Sequence, residues 1–466
     1  MTRRERIVEL DKRYVWHPYT PMQQYVSETN PLVIERASGS RLYDVDGRSY
    51  IDANSSWWSA VLGHDHPRLL AALGAQLASM PHVAMGGIAH EPAAELGRAL
   101  VARAPGLSRV FYSDDGSTSI EVALKLSVQY WQQNGRPERT RFVSLQGAFH
   151  GDTLGATALG GVEVFRRPFA SVVLDCVHVA PEPSGYEAAF ERLCGIVERE
   201  RDSVAALVLE PMVQGSAGMR VYDAGLLRAA REVTRKYDVF LVLDEVFSGF
   251  GRTGPFWASE HAGVTADLMC TAKGLSGGLL PFAATLASER IFEGFLGGPE
   301  RAFYYGHTFC GNPLGARVAL EVLRVFEDER ILELASDRAR QIRERVSALR
   351  RAARCVAHAF ARHDRRARLG GGRGLPRKAR TARLPGGLAP RRLPAPARQH
   401  RVHHAAAQHL GSRLGGAVRH RRRVLEGDGL VPEPVHHGCT TLAPLRPRRL
   451  GARRPRRRMR TRWGTR

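Results

Sequence analysis

Cysteine is scarce and unpaired in this 466-residue chain: six residues, Cys176, Cys194, Cys270, Cys310, Cys355 and Cys439, with no CxxC or other metal-ligand spacing. A disulfide framework or a zinc site is therefore not indicated, and reduced thiols are the economical reading. Also absent is any apolar run long enough to span a bilayer, and the charged N-terminus MTRRERIVELDKRY has no hydrophobic leader core. The expectation is a cytoplasmic protein with no membrane partner and no metal. A third absence is local: residues 356–466 contain no Ile, no Tyr, one Phe (Phe360), one Trp (Trp463) and one Lys (Lys378).

That last segment also holds the charge. The formal net charge of +23 resolves into +25 over residues 356–466, from 28 Arg and one Lys against four acids, and −2 over everything upstream. A strongly basic whole would point to a nucleic-acid partner, but the first 355 residues are those of an ordinary, slightly acidic protein. The basic segment has no sustained period of 2 or 3.6. Two readings stay open: a disordered basic arm, or a GC-rich reading frame displaced from that of the upstream protein. The single Lys and the unfinished upstream fold favour the second, and no specific nucleic-acid partner is expected.

Up to about residue 350, apolar runs alternate with helix-length amphipathic stretches, the pattern of an α/β fold with a mostly parallel sheet. Strands are expected at 109–113, 141–145, 205–210, 239–244, 267–271 and 281–287, several of them apolar on both faces, as doubly covered strands are. Between the first two, Ile120, Leu124, Val128 and Trp131 recur at helical spacing before a stop at Gly135. The expected organisation is an N-terminal segment (1–60) contributing to a small domain and to a substrate pocket, and a large domain (61–330). The start of a C-terminal-domain helix (331–355) and the basic tail (356–466) complete it.

Chemistry concentrates at strand ends. Asp244 closes the apolar run in VFLVLDEVFSGFGRTG, and Lys273 follows 29 residues later at the end of DLMCTAKGLSGG. In an open α/β sheet both would face one crevice beyond the carboxyl ends of the strands. A carboxylate and an amine so placed suit pyridoxal phosphate, the acid holding the pyridine nitrogen protonated and the lysine moving the substrate proton. A lone strand-end lysine is usually just solvated, but the small residues Ala272, Gly274, Gly277 and Gly278 leave room for a planar ligand. Gly116 and Ser117 open a helix directly after a strand and offer a phosphate cradle, though Gly-Ser there is also an ordinary helix cap. Phe149 and His150, in AFHGDT, follow another strand, where an aromatic ring can stack on a cofactor or simply fill core. LEPMVQGSAGM brings Glu210 and a Gly-rich turn to the same side.

Together these motifs resemble the class III pyridoxal-phosphate aminotransferases of fold type I, over about residues 10–350. LDEVFSGFGRTG and AKGLSGG are the most specific parts. WHPYTPMQQY (16–25) and NSSWWSAVLGHDHP (54–67) are similar to the branch that aminates 8-amino-7-oxononanoate in biotin synthesis. The resemblance implies a Schiff-base role for Lys273, a pyridine-nitrogen partner in Asp244, and a phosphate cradle at Gly116 and Ser117. It implies that His307 and Thr308, in YYGHTFCGNPL, reach the phosphate of a neighbouring subunit, making a homodimer. It implies substrate contacts at Tyr19, Trp57, Phe149 and Gly306, with Phe149 also on the cofactor ring.

The sequence departs from the family in two places. Members that use adenosylmethionine as amino donor resemble one another in carrying Tyr where this chain has Phe149. Adenosylmethionine remains the first expectation and lysine the alternative, with GGLLP (277–281) leaning the same way as Phe149. No strand-like context supplies the family's carboxylate-gripping Arg; LAPRRLPAP, with Arg391 and Arg392, is not that motif. Arg252 matches in sequence and is given no role. Other class III ω-aminotransferases, and an inactive chain with a basic tail, are the remaining alternatives.

Overall fold

The computed structural model describes residues 1–182 and 185–369, with side chains through 351. The chain divides between Pro385 and Gly386, so every described residue belongs to the first unit.

The chain first forms a three-stranded antiparallel sheet, β1 (Ile34–Ser38), β2 (Arg41–Asp44) and β3 (Ser49–Ile51). The main sheet contains β4 (Arg109–Ser113), β5 (Arg141–Leu145), β6 (Cys176–Val179) and β7 (Val204–Leu209). A short hairpin follows, β8 (Val213–Gln214) with β9 (Arg220–Val221), and then β10 (Phe240–Asp244), β11 (Leu268–Thr271) and β12 (Ala283–Ala287) return to the main sheet. Its order is β4-β12-β11-β10-β7-β5-β6. Only β12 runs against its neighbours, being antiparallel to both β11 and β4, so the other six strands point one way.

All residues of β7, β10, β11 and β12 are buried, which is why their sequences are continuous apolar runs rather than alternating ones. One core layer packs Ile120, Leu124 and Trp131 of the helix Gly116–Gln133 onto Ala206, Val208, Phe240 and Val242; the opposite layer buries Phe190, Leu193, Leu227 and Leu241. Each buried Val, Leu, Ile or Phe among them contributes ~1.5–3 kcal/mol on leaving water. The helix Gly116–Gln133 starts where it does because Asp115 accepts from the Thr118 N–H at 2.9 Å while the Thr118 hydroxyl accepts from the Asp115 N–H at 2.9 Å. It ends at Asn134, and Gly135 supplies the positive φ of +85° beyond.

The six expected strands are all present, two with unchanged bounds; β6 is an addition to the main sheet, and β1–β3, β8 and β9 are additions outside it. The C-terminal helix runs over Ile331–Leu369 and so passes residue 355, because Ala- and Arg-rich sequence carries it without a Gly or Pro until Gly370. The rest of the basic tail lies outside the described residues.

Candidate active site

Six parallel strands discharge their loops on one side, and the residues singled out in the sequence lie there. Gly116 and Ser117 follow β4, Phe149 and His150 follow β5, Glu210 follows β7, Asp244 ends β10 and Lys273 stands two residues past β11. Parallel register explains the convergence: Asp244 lies opposite Cys270, so the loops after β10 and β11 leave the sheet side by side.

Asp244 is buried and held at both oxygens. Its Oδ2 accepts from His150 Nδ1 at 2.7 Å and its Oδ1 from the Val246 N–H at 3.0 Å. Lys273 has φ +45°, a left-handed conformation that costs a non-glycine residue free energy and persists only where the surroundings enforce it. Its ammonium lies 5.7 Å from the Trp58 ring centroid and makes no hydrogen bond or ion pair among the described residues. Burial lowers its pKa from the ordinary lysine range; Asp244 and Glu210 oppose that shift, and Arg252 adds to it. An amine that is unpaired and easier to deprotonate is a nucleophile and base in waiting.

The cradle after β4 is tight. A Cβ on Gly116 would stand 2.7 Å from Val246 Cγ1, so only glycine lets the turn lie against the strand-end loop. Ser117 Oγ accepts from the Thr153 N–H at 2.9 Å and shares a 2.8 Å hydrogen bond with the Thr153 hydroxyl, tying the helix start to the AFHGDT loop.

An aromatic wall closes one side. Tyr19 contacts Trp57 and Phe165 edge-on, each at 5.5 Å between centroids, and its hydroxyl donates to Asp152. Burial and the adjacent Asp152 push the Tyr19 pKa up, so the phenol stays neutral. Phe149 meets Phe165 at 5.8 Å, and Trp58 meets Phe247 at 5.0 Å. Ser55, Ser56, Trp57 and Trp58 all have φ between +47° and +65°, a left-handed turn that presents Trp57 half-exposed. Asn54 holds it by accepting from the Trp57 N–H at 3.3 Å, and Arg252 Nη2 donates to the Trp58 carbonyl at 3.2 Å. Arg252 has no carboxylate partner among the described residues.

Gly306 and Thr308 are exposed, and among the described residues neither makes a hydrogen bond to Gly116 or Ser117. His307 instead bonds Asp114 through Nδ1 at 2.8 Å and Tyr305 through Nε2 at 2.9 Å. Asp114, His307 and Cys310 have donor atoms within 4.8 Å of one another, a grouping the sequence spacing did not reveal. Their mutual bonds, including the His307 N–H donating to Cys310 Sγ at 3.1 Å, account for it without an ion. Sequence reasoning also missed Asp152 as the Tyr19 partner; its place in AFHGDT was the available signal. It named His150 without finding the bond to Asp244.

A strand-end carboxylate fixed at both oxygens, an unpaired buried amine and a glycine-only cradle fit pyridoxal phosphate. The family model for aminotransferase class-III matches residues 23–358. The chain therefore belongs to the class-III aminotransferases, which are pyridoxal-phosphate enzymes. Among curated relatives, adenosylmethionine-8-amino-7-oxononanoate aminotransferase of Aquifex aeolicus is 40% identical over 351 residues, 72% of this chain and 77% of that one. The crystal structure of the enzyme of that name from Methanocaldococcus jannaschii superposes with a TM-score of 0.69 at 36% identity, covering 71% of this chain and 76% of the other. An omega transaminase from Pseudomonas jessenii, solved in complex with PMP, gives 0.66 at 31% identity over 70% and 76%.

Proposed function

We propose that this chain transfers an amino group to 8-amino-7-oxononanoate, forming 7,8-diaminononanoate in biotin synthesis, with adenosylmethionine as donor. The observation that carries the reading is the Tyr19–Trp57 contact, with Trp57 adjacent in the chain to the Trp58 ring that the Lys273 ammonium approaches at 5.7 Å, in a chain 40% identical to a relative of that name. An acid with a long methylene chain needs an apolar, aromatic-lined channel, and this wall supplies one.

Bound here, pyridoxal phosphate supplies an electron sink that labilises a proton on the carbon bearing the amino group. Lys273 would hold the cofactor covalently, and its amine would carry that proton in both half-reactions. Asp244 holds the pyridine nitrogen, and the Gly116–Ser117 cradle holds the phosphate with backbone N–H groups at a helix start. Phe149 would stand against the cofactor ring. Tyr19, Trp57 and Gly306 contact substrate, and Asp152 orients Tyr19. Two copies pair so that His307 and Thr308 of each complete the cradle of the other, which accounts for the exposure of Thr308 in the single chain. Residues 61–330 form the large cofactor-binding domain, residues 1–60 contribute to the substrate pocket, and the enzyme works in the cytoplasm. Among the described residues no helix is long and apolar enough to cross a membrane.

The first test is cofactor loading: the full-length chain with pyridoxal phosphate develops a visible absorbance band that Lys273→Ala abolishes. The second concerns substrate. Trp57→Ala lowers turnover of the oxononanoate much more than cofactor loading, and equal loss of both removes the substrate role. The lost hydroxyl at Phe149 and the GGLLP run (277–281) are the features favouring lysine as donor. Parallel assays with adenosylmethionine and lysine decide between them.

A further inference from the structure

One fully buried carboxylate takes no part in the chemistry above. Glu245 follows Asp244, and its N–H donates to the Cys270 carbonyl at 2.9 Å, which keeps its backbone locked to β11. Its side chain gathers four donors from the two ends of one loop. Oε1 accepts from the Ser259 N–H and the Ser259 hydroxyl, each at 2.8 Å; Oε2 accepts from the Ala258 N–H at 3.1 Å and the Ser248 hydroxyl at 2.6 Å. Glu245 makes no ion pair among the described residues, and a buried charge without a cation persists only where such donors hold it. Burial raises its pKa, and each of the four donors opposes that shift. One donor on each oxygen is a backbone N–H, which cannot accept, so an amide in place of the carboxylate would set N–H against N–H whichever way it turned.

The loop closed in this way, 246–257, reaches the substrate wall. Phe247 meets the Trp58 ring at 5.0 Å, and Arg252 Nη2 donates to the Trp58 carbonyl at 3.2 Å. The turn that carries Trp57 and Trp58 is left-handed at four consecutive non-glycine residues, so it stands only where its neighbours hold it. Phe247 and Arg252 are two of those neighbours.

We propose that Glu245 is a positioning residue for substrate selection: by closing the 246–257 loop it sets Phe247 and Arg252, and through them the turn that presents Trp57. The proposal rests on the substrate reading above. Loosening the clamp frees the turn and so weakens the grip on the methylene chain. Cofactor loading suffers less, because Asp244 keeps its place in β10 and its bond to His150.

The test uses the full chain with pyridoxal phosphate and three graded variants. Ser248→Ala and Ser259→Ala each remove one hydroxyl donor and leave both backbone donors in place; Glu245→Gln keeps the size and spoils the match. The expected result is a fall in kcat/KM for the oxononanoate, carried by KM, of about threefold in each serine variant and about tenfold in Glu245→Gln, with cofactor affinity within about twofold of wild type. A double-mutant cycle distinguishes positioning from a general structural defect. With the indole removed by Trp57→Ala, Glu245→Gln costs little further in kcat/KM, whereas an independent defect adds in full. Full additivity, or equal losses in cofactor affinity and kcat/KM, overturns the proposal, and the serine variants apply the same criteria should Glu245→Gln not fold. If the wild type forms the Lys273-dependent band but does not turn over the oxononanoate, the substrate reading fails instead. Fluorine NMR of fluorotryptophan-labelled chain then tests the clamp without substrate, with Trp58→Phe assigning the resonance. A Trp58 signal that moves in Glu245→Gln and in Ser259→Ala supports the proposal, and one that stays in place overturns it.

Discussion

Gly116→Ala sets two effects of opposite sign against each other in the cradle. In an ordinary helix the change stabilises, because alanine loses less backbone freedom, by ~0.5–1 kcal/mol. Here the added Cβ would lie 2.7 Å from Val246 Cγ1 and 3.2 Å from Val246 Cγ2. Relieving that overlap costs ~1–3 kcal/mol, so the clash wins and the net change is a loss of ~1 kcal/mol. The damage does not stop at stability, since the Val246 N–H is one of the two donors that fix Asp244. Shifting Val246 loosens the carboxylate we propose for the pyridine nitrogen, and pyridoxal-phosphate affinity is expected to fall about tenfold, the equivalent of ~1.4 kcal/mol. Urea unfolding of the apo chain and absorbance titration of the cofactor measure the two consequences separately. Val246→Ala removes both methyl groups the new Cβ meets, so the double variant recovers most of the affinity, with a coupling of ~1 kcal/mol or more. If Gly116→Ala is more stable than wild type and binds cofactor as well, or shows no coupling to Val246→Ala, the cradle is not packed as described.

Three further outcomes follow from local geometry. Arg139 is 1% exposed, stacks 4.2 Å from the Trp131 ring and donates to the Tyr237 and Asp238 carbonyls beyond the helix Ala224–Lys236. Arg139→Met leaves those carbonyls unpaired and lowers the unfolding free energy by ~2–3 kcal/mol in urea titration. Burial would raise the Asp44 pKa, yet donors from Arg48, Tyr50 and the Asp46 N–H prevail and hold it down to about 2. Its stabilising contribution is therefore complete above the ordinary carboxylate range and is lost as pH falls through about 2; acid titration by circular dichroism shows that dependence in the wild type and not in Asp44→Asn. Tyr19→Phe loses the Asp152 bond but keeps both ring contacts, so KM for the oxononanoate rises ~3–10-fold while kcat changes little.

Much of the main sheet was legible because doubly buried strands must be continuous apolar runs. Strands β4 and β5 begin and end where the sequence places them, and β7, β10, β11 and β12 differ by a residue or two. The strand β6 escaped because CVHV is four residues long and carries a histidine. The site was legible in composition, since parallel strands deliver Asp244, Lys273, Phe149 and Gly116 to one side whatever the details. Its wiring was not: Tyr19 meets Asp152 across 133 residues and His150 meets Asp244 across 94, and no local pattern encodes such a pair. The left-handed turn Ser55–Trp58 was equally hidden. Its sequence has no glycine, and the conformation is enforced by Asn54 and Arg252 rather than by intrinsic preference.

The charge carried by residues 356–466 makes a prediction of its own, because +25 against −2 upstream is a property of the sequence and acts wherever those residues stand. Arginines meeting a polyanion release condensed counterions, so full-length chain is retained on DNA with an affinity that drops steeply with salt. Six to ten phosphate contacts would cost ~10³–10⁵ between 50 and 200 mM. The same segment has one Phe and one Trp to stack on bases, and discrimination between sequences needs side chains held in fixed register at base edges. Retention is therefore expected to be the same for unrelated DNA sequences and to vanish in a chain ended after Cys355, while the Lys273-dependent cofactor band is equal in both forms. The strand-end residues that make that band all lie upstream of the cut. A preference of about tenfold or more for one DNA sequence would mean that the basic segment reads bases and is a binding element in its own right. Loss of the band on truncation would tie the segment to the cofactor site instead.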